Sequence, residues 1–173
     1  MKTIQETGLY HHTMDSPIGD LLLVGDADAL HGVYFQAGKR GPSKPDQSWE
    51  PADKPFREVK RQLKAYFAGK LTDFDLPLAP EGTEFQLKVW QMLRTIPYGT
   101  TCSYGDIAAR IGEDPRVASR AVGLANGSNP NAIVTPCHRV IGVDGALVGY
   151  AGGLHAKRWL LDLEAKAVGS VLF

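Results

Sequence analysis

The spacing of apolar residues changes along the chain, and the change separates two halves. Residues 9–35 carry short apolar runs, in which Leu21 and Leu23 are followed by Val33 and Phe35. Such runs read as strands, and Asp26-Ala27-Asp28 reads as a turn between two of them. Ser16-Pro17-Ile18-Gly19 supplies an earlier turn, so a small antiparallel meander is predicted. Residues 37–52 are rich in proline, glycine and charge and read as a surface loop. From Asp53 the period lengthens: Phe56, Val59, Leu63 and Phe67 recur at helical spacing, and Gly69 ends the run. Residues 71–82 hold two prolines and read as a linker.

Beyond the linker the pattern is helical. Thr83-x-x-Gln86 is a capping box ahead of Phe85, Val89, Trp90 and Leu93. Ser103-x-x-Asp106 opens a short helix that ends near Gly112. Asp114-Pro115 caps another, from about Arg116 to Ala125. Asn126 to Pro130 reads as a turn, 132–134 as a buried stretch, and 142–153 as a loop with five glycines. A last amphipathic helix carries Trp159, Leu160 and Leu163. Short helices joined by tight turns predict a helix-turn-helix of winged-helix type. The predicted fold is therefore α/β in the α+β sense. A small antiparallel sheet with a helix fills residues 1–80, and a helical domain fills 83–173.

Composition narrows the function. The 173 residues are 43% hydrophobic and 22% charged, enough for a real core. The net charge is zero, which argues against binding a polyanion by bulk electrostatics. Residues 1–82 carry −2 and residues 83–173 carry +2, a tilt toward a nucleic-acid site in the second half. No apolar run approaches the roughly 18 residues that span a bilayer, so no membrane partner is expected. Met1 to Met14 is polar and holds no export signal. The two cysteines, 35 positions apart, make neither a disulfide framework nor a zinc half-site. A cytoplasmic protein with reduced thiols is expected.

Candidate chemistry concentrates in Pro136-Cys137-His138-Arg139-Val140. A thiol becomes a good nucleophile as a thiolate, and neighbouring imidazole or cationic groups favour that form. The alternative is a small buried cysteine with a surface histidine beside it. Cys102 has no His, Lys or Arg within five positions before it or seven after it, and reads as structural. His11-His12 reads as a polar strand edge rather than a metal site. The loop Gly149-Tyr150-Ala151-Gly152-Gly153 lacks a strand–GxGxxG–helix context and reads as flexible rather than phosphate-binding. Arg120 precedes a row of small residues, Ala121, Gly123, Ala125 and Gly127. Such a row permits close approach either to another helix or to a nucleic-acid backbone.

Five blocks in register resemble the O6-alkylguanine-DNA alkyltransferase family. They are Arg120-Ala-Val-Gly, Asn129-Pro130, Pro136-Cys-His-Arg-Val-Ile141, Gly149-Tyr150-x-Gly-Gly153 and Lys157-x-x-Leu-Leu161-x-x-Glu164. The resemblance implies direct-reversal repair: an alkyl group on guanine O6, less readily on thymine O4, passes irreversibly to Cys137. It implies His138 as the base through a water, oriented by Glu164. It implies Tyr104 as the residue that helps rotate the nucleotide, and Asn129 as a hinge before the acceptor segment. Arg120 matches the finger that fills the vacated base stack, with Ala121, Gly123 and Ser103 on the DNA side. Val140, Tyr150, Ala151 and Gly152 match pocket positions, and Lys157 lies near the pocket. The implied partner is double-stranded DNA bound through the minor groove, by a monomer or cooperatively, with the base flipped out. No cofactor is implied. Some relatives carry a structural zinc in the first domain, but residues 1–82 have no cysteine for it, so no metal is expected. Some relatives carry serine where this chain has Ala151, so its substrate range is expected to differ. Rival readings are a damage binder without transfer, a Cys–His hydrolase and a plain helix-turn-helix regulator. Cys137 opposes the first. The apolar residues after Arg120 oppose the last, because base-edge readout uses polar side chains.

Overall fold

A computed structural model describes residues 8–38 and 41–169. The first seven residues, Lys39, Arg40 and the last four residues lie outside it, together with the sequence expectations that fall on them.

Strands β1 (Tyr10–Met14), β2 (Leu21–Gly25) and β3 (Leu30–Phe35) form the antiparallel meander. Asp26 closes the turn between β2 and β3: its carboxylate accepts from the backbone N–H of Asp28 and Ala29, both at 2.7 Å. The sheet goes one strand further than expected. Glu50–Pro51, from the segment read as a loop, forms β4 and pairs parallel to β1, so the sheet is mixed, in the order β3-β2-β1-β4. Two residues ending in proline carry no strand period, which is why composition suggested a loop. His11 and His12 consequently sit on an inner strand, not at a strand edge.

Helix α1 (Arg57–Phe67) follows a short 3-10 turn and buries Val59, Leu63 and Tyr66 in the sheet's core. Gln62 on the same face exchanges two hydrogen bonds with the backbone of Asp75, at 2.9 and 3.0 Å. Leu30 N–H donates to Pro77 O, and Ala79 N–H donates to Leu30 O, each at 2.8 Å. The expected linker is therefore fastened to the edge of β3. Its prolines stop helix but leave carbonyls free to accept.

Helix α2 (Glu84–Leu93) begins at the predicted box: Thr83 Oγ1 accepts from Gln86 N–H while the Gln86 side chain accepts from Thr83 N–H. Helix α3 (Tyr104–Arg110) starts the same way from Ser103 and Asp106, and α4 (Pro115–Gly127) is capped by Asp114. Helix α4 runs two residues past the predicted end, absorbing Asn126 and Gly127, because Asn126 is buried and packed rather than turning. Helices α3 and α4 form the helix-turn-helix. Trp90 of α2 clamps it by donating Nε1–H to Ala125 O at 2.8 Å. Strand β5 (Cys102–Ser103) pairs parallel with β6 (Val140–Ile141), and α5 (Leu154–Ala167) closes the fold. Among the described residues no helix is long and apolar enough to cross a membrane.

Two apolar clusters meet near residue 137. One holds the sheet, α1, residues 132–134 and Leu160. The other holds α2, α3, α4, Cys102, Cys137 and Val140. The chain that leads to Cys137 is attached to β3: Val33 N–H donates to Pro130 O at 2.8 Å, and Ala132 N–H to Val33 O at 3.3 Å.

Candidate active site

Cys137 and His138 open a 3-10 turn directly before β6. The turn is held from several sides. Asn129 Nδ2 donates to Thr135 O at 2.8 Å, and its Oδ1 accepts from Asn131 N–H at 3.0 Å. Between these bonds Ile133 takes a φ of 73°, a left-handed conformation that costs a β-branched residue about 1–3 kcal/mol. Its side chain is 1% exposed, so burial in the sheet's core offsets the strain.

Cys137 is 5% exposed and lies at the inner end of a cavity of about 410 Å³. Tyr104, Gly123, Leu124 and Asn129 form one part of the wall, and Val148 to Ala151 another. Arg120 stands at its edge, exposed to solvent. The lining is mostly apolar with few polar groups, the character of a site for a flat organic group.

Behind Cys137 the chemistry reverses. His138 is fully buried, and its Nε2 lies 2.7 Å from Oε2 of Glu164, which is itself 1% exposed. Glu164 projects inward from α5. Arg139 donates Nε–H to Oε1 at 2.8 Å and Nη2–H to Oε2 at 3.0 Å. Tyr66 donates its hydroxyl to Oε2 at 2.5 Å, and Gly99 N–H donates to Oε1 at 3.1 Å. Gly99 has a φ of 79°, which suits glycine, and this turn aims its N–H at the carboxylate. Burial pushes the Glu164 carboxyl upward, but His138 and Arg139 outweigh it and hold the group at about 2. Burial pushes the imidazole of His138 down, against the upward pull of Glu164. A neutral imidazole facing a carboxylate carries its proton on Nε2. Nδ1 is then the basic atom, and it is buried without a hydrogen-bond partner in the structure.

Lys157 joins the two sides. It is fully buried, and Nζ donates to Val140 O at 2.7 Å, Val148 O at 2.9 Å and Gly149 O at 3.4 Å. Burial lowers its pKa to about 8, opposed by the negative charge that Cys137 can carry. The amine thereby ties the acceptor strand to the pocket loop.

The structure brings Cys137, His138, Glu164, Asn129, Tyr104, Arg120, Gly123, Tyr150 and Ala151 to this cavity or its rear wall. Val140 and Gly152, expected to line the pocket, are not on its wall, and Ser103 and Ala121, expected on the DNA side, lie outside it. Val140 is buried beneath the loop, and its carbonyl is engaged by Lys157. A Cβ on Gly152 would meet the Phe35 ring at 2.8 Å, so its smallness serves contact with β3. Ser103 caps α3. Ala121 is exposed on α4 outside the cavity. Sequence reasoning missed Tyr66 and Gly99, and took Arg139 only as a charge near the thiol. The one sequence trace of Tyr66 is a polar-tipped residue three positions after Leu63 on the apolar face of α1. Cys102 is 7% exposed, and burial pushes its thiol upward, as expected of a structural cysteine.

Residues 9–80 match the "6-O-methylguanine DNA methyltransferase, ribonuclease-like domain" and residues 84–166 the "6-O-methylguanine DNA methyltransferase, DNA binding domain". A methylated-DNA–protein-cysteine methyltransferase of Methanosarcina acetivorans is 56% identical, over 90% of this chain and 98% of that protein. The Mycobacterium tuberculosis protein of the same name is 51% identical, over 90% and 92%. A crystal structure of the M. tuberculosis O6-methylguanine methyltransferase superposes with a TM-score of 0.84 at 50% identity, covering 92% of this chain and 94% of that one. A structure of the M. tuberculosis protein in complex with DNA gives the same TM-score at 49% identity, over 91% and 94%. With both halves matched and the cysteine–histidine–glutamate cluster at their junction, this chain belongs to the 6-O-methylguanine DNA methyltransferase family.

Proposed function

We propose that Cys137 is the alkyl acceptor, and that the cavity in front of it receives an O6-alkylated guanine turned out of the duplex. The chain repairs DNA by methyl transfer to its own cysteine. The observation that carries the assignment is a thiol between an apolar cavity and a buried His–Glu pair. His138 Nδ1 takes the Cys137 proton, directly or through one water. Sγ then attacks the alkyl carbon, forming an S–C bond as the C–O6 bond breaks. The electron pair moves into the guanine ring, which takes up a proton. No step returns the alkyl group, so each molecule acts once.

The depth of Cys137 supports base flipping, since a stacked base cannot bring its O6 to a thiol that is 5% exposed. Arg120, at the cavity's edge, takes the place of the departed base. Helix α4 offers small and apolar side chains beside it, including Ala121, Val117 and Leu124. These suit close approach in the minor groove better than base-edge readout. The two-domain division at residues 80–83, a monomeric protein on DNA and a cytoplasmic setting belong to the same reading. The test is intact-protein mass spectrometry after mixing with excess O6-methylguanine duplex. One gain of about 14 Da per chain, mapped to Cys137 and absent in Cys137→Ser, is expected. Transfer retained in Cys137→Ser would move the acceptor elsewhere.

A further inference from the structure

Tyr66 has no part in the reaction as written above. It comes from α1 of the first half, yet its hydroxyl reaches Oε2 of Glu164 at 2.5 Å. That oxygen also receives His138 Nε2 at 2.7 Å and Arg139 Nη2 at 3.0 Å, and the Tyr66 hydroxyl lies 3.4 Å from His138 Nε2. The ring is fully buried and fixed against Phe67, Phe74 and Tyr98. We infer that Tyr66 is a positioning residue: by donating to Glu164 it limits the pull of that carboxylate on His138 and keeps the imidazole neutral, ready to accept the Cys137 proton. The inference rests on the alkyl-transfer reading.

The physical reason is competition at one oxygen. A carboxylate offers about four lone-pair sites, and Glu164 faces donors from Tyr66, His138, Arg139 and Gly99. A carboxylate left alone with a buried imidazole favours imidazolium. An imidazolium has no lone pair for the thiol proton. Donors other than His138 draw off the carboxylate's basicity and leave the imidazole neutral. The other groups around the ring work the same way or are silent. Arg139 and Lys157 are cations that disfavour a third positive charge. Tyr150 meets the imidazole edge-on at 6.4 Å, and burial keeps its phenol and that of Tyr98 protonated. Among these groups Tyr66 alone comes from the first half of the chain, which gives that half a part in the proton chemistry.

The experiment uses full-length Tyr66→Phe, which removes one oxygen and keeps the ring. Single-turnover transfer is measured across pH, alongside carbamidomethylation of Cys137 by iodoacetamide without DNA. The expected result is an acid limb displaced upward by about one pH unit, hence about tenfold slower reaction on that limb. Above it the rate stays within about twofold of wild type, and DNA affinity is unchanged. Phe67→Leu loosens the same helix without touching Glu164, and should lower the melting temperature while leaving the limb in place. If Tyr66→Phe does not fold, 3-fluorotyrosine placed at position 66 is the second probe. Its more acidic hydroxyl must move the limb downward. A uniform slowing with an unmoved limb, or no change at all, overturns the inference. Wild-type protein that gains no methyl group overturns the parent reading instead, while the iodoacetamide profiles still decide the role of Tyr66.

Discussion

The two sides of Cys137 are built on opposite principles. In front lies an open cavity of about 410 Å³ walled by Tyr104, Gly123, Val148 and Ala151. Behind lies a closed cluster in which Glu164 receives hydrogen bonds from Tyr66, His138, Arg139 and Gly99. In the reaction proposed above the front admits and releases a planar base, a task suited to shape and apolar contact. The rear must hold one proton-transfer geometry, so its charges are matched and shielded from water. One side is specific through what it leaves empty, the other through what it fills.

The contrast can be broken most severely from the rear. Glu164→Gln leaves the Arg139 guanidinium buried without its counter-charge and should cost about 3–5 kcal/mol of stability in urea unfolding. In what remains folded, transfer should fall about 100-fold or more, the range for loss of a general base's support. A variant with wild-type stability would mean that the cluster is not coupled as described.

Acid should attack the same side next. The Glu164 carboxyl is held at about 2 in the folded protein against an ordinary 4.5. A depressed carboxyl contributes stability that is complete above about 4.5 and is lost as pH falls toward 2. Urea midpoints followed through that window should drop, and Glu164→Gln should flatten the drop. An unchanged slope in the variant would assign the acid sensitivity to other carboxyls.

A smaller effect is expected where the two sides join. Lys157→Met keeps the chain length but removes the amine that donates to the carbonyls of Val140, Val148 and Gly149, at a cost of about 1–3 kcal/mol. Hydrogen exchange should quicken in residues 148–151 and stay slow around Glu164. Equal quickening of both regions would show that they are one unit. The smallest effect on folding belongs to Arg120→Ala at the open edge, within about 0.5 kcal/mol. It should slow reaction with duplex DNA far more than reaction with the free modified base; equal slowing refutes the finger role.

Legibility in the sequence followed distance along the chain. Features closed within a few residues could be read directly: the capping boxes at Thr83 and Ser103, the Asp26 turn, the adjacency of Cys137 and His138. Helix α1 was visible because its apolar period is local. Features made by distant partners were not. Strand β4 consists of two residues whose only strand character is their pairing with Tyr10 and His11. The segment 71–82 reads as linker until Gln62 and Leu30 supply its bonds. The rear cluster draws on residues 66, 99, 138, 139 and 164, and no period links a helix, a turn and a second helix. Glu164 was reached by resemblance, not by pattern, and Tyr66 by neither.

The depth of Cys137 has a consequence for the protein's own lifetime. A reagent that works once is lost to whatever electrophile reaches it first. With 5% of its surface exposed at the inner end of the cavity, the sulfur meets oxidants and alkylating agents in bulk solution more slowly than a surface thiol would. On the reading proposed above, a flat group that fits the cavity is favoured over bulk reagents, so more of the resting protein survives until it meets damaged DNA.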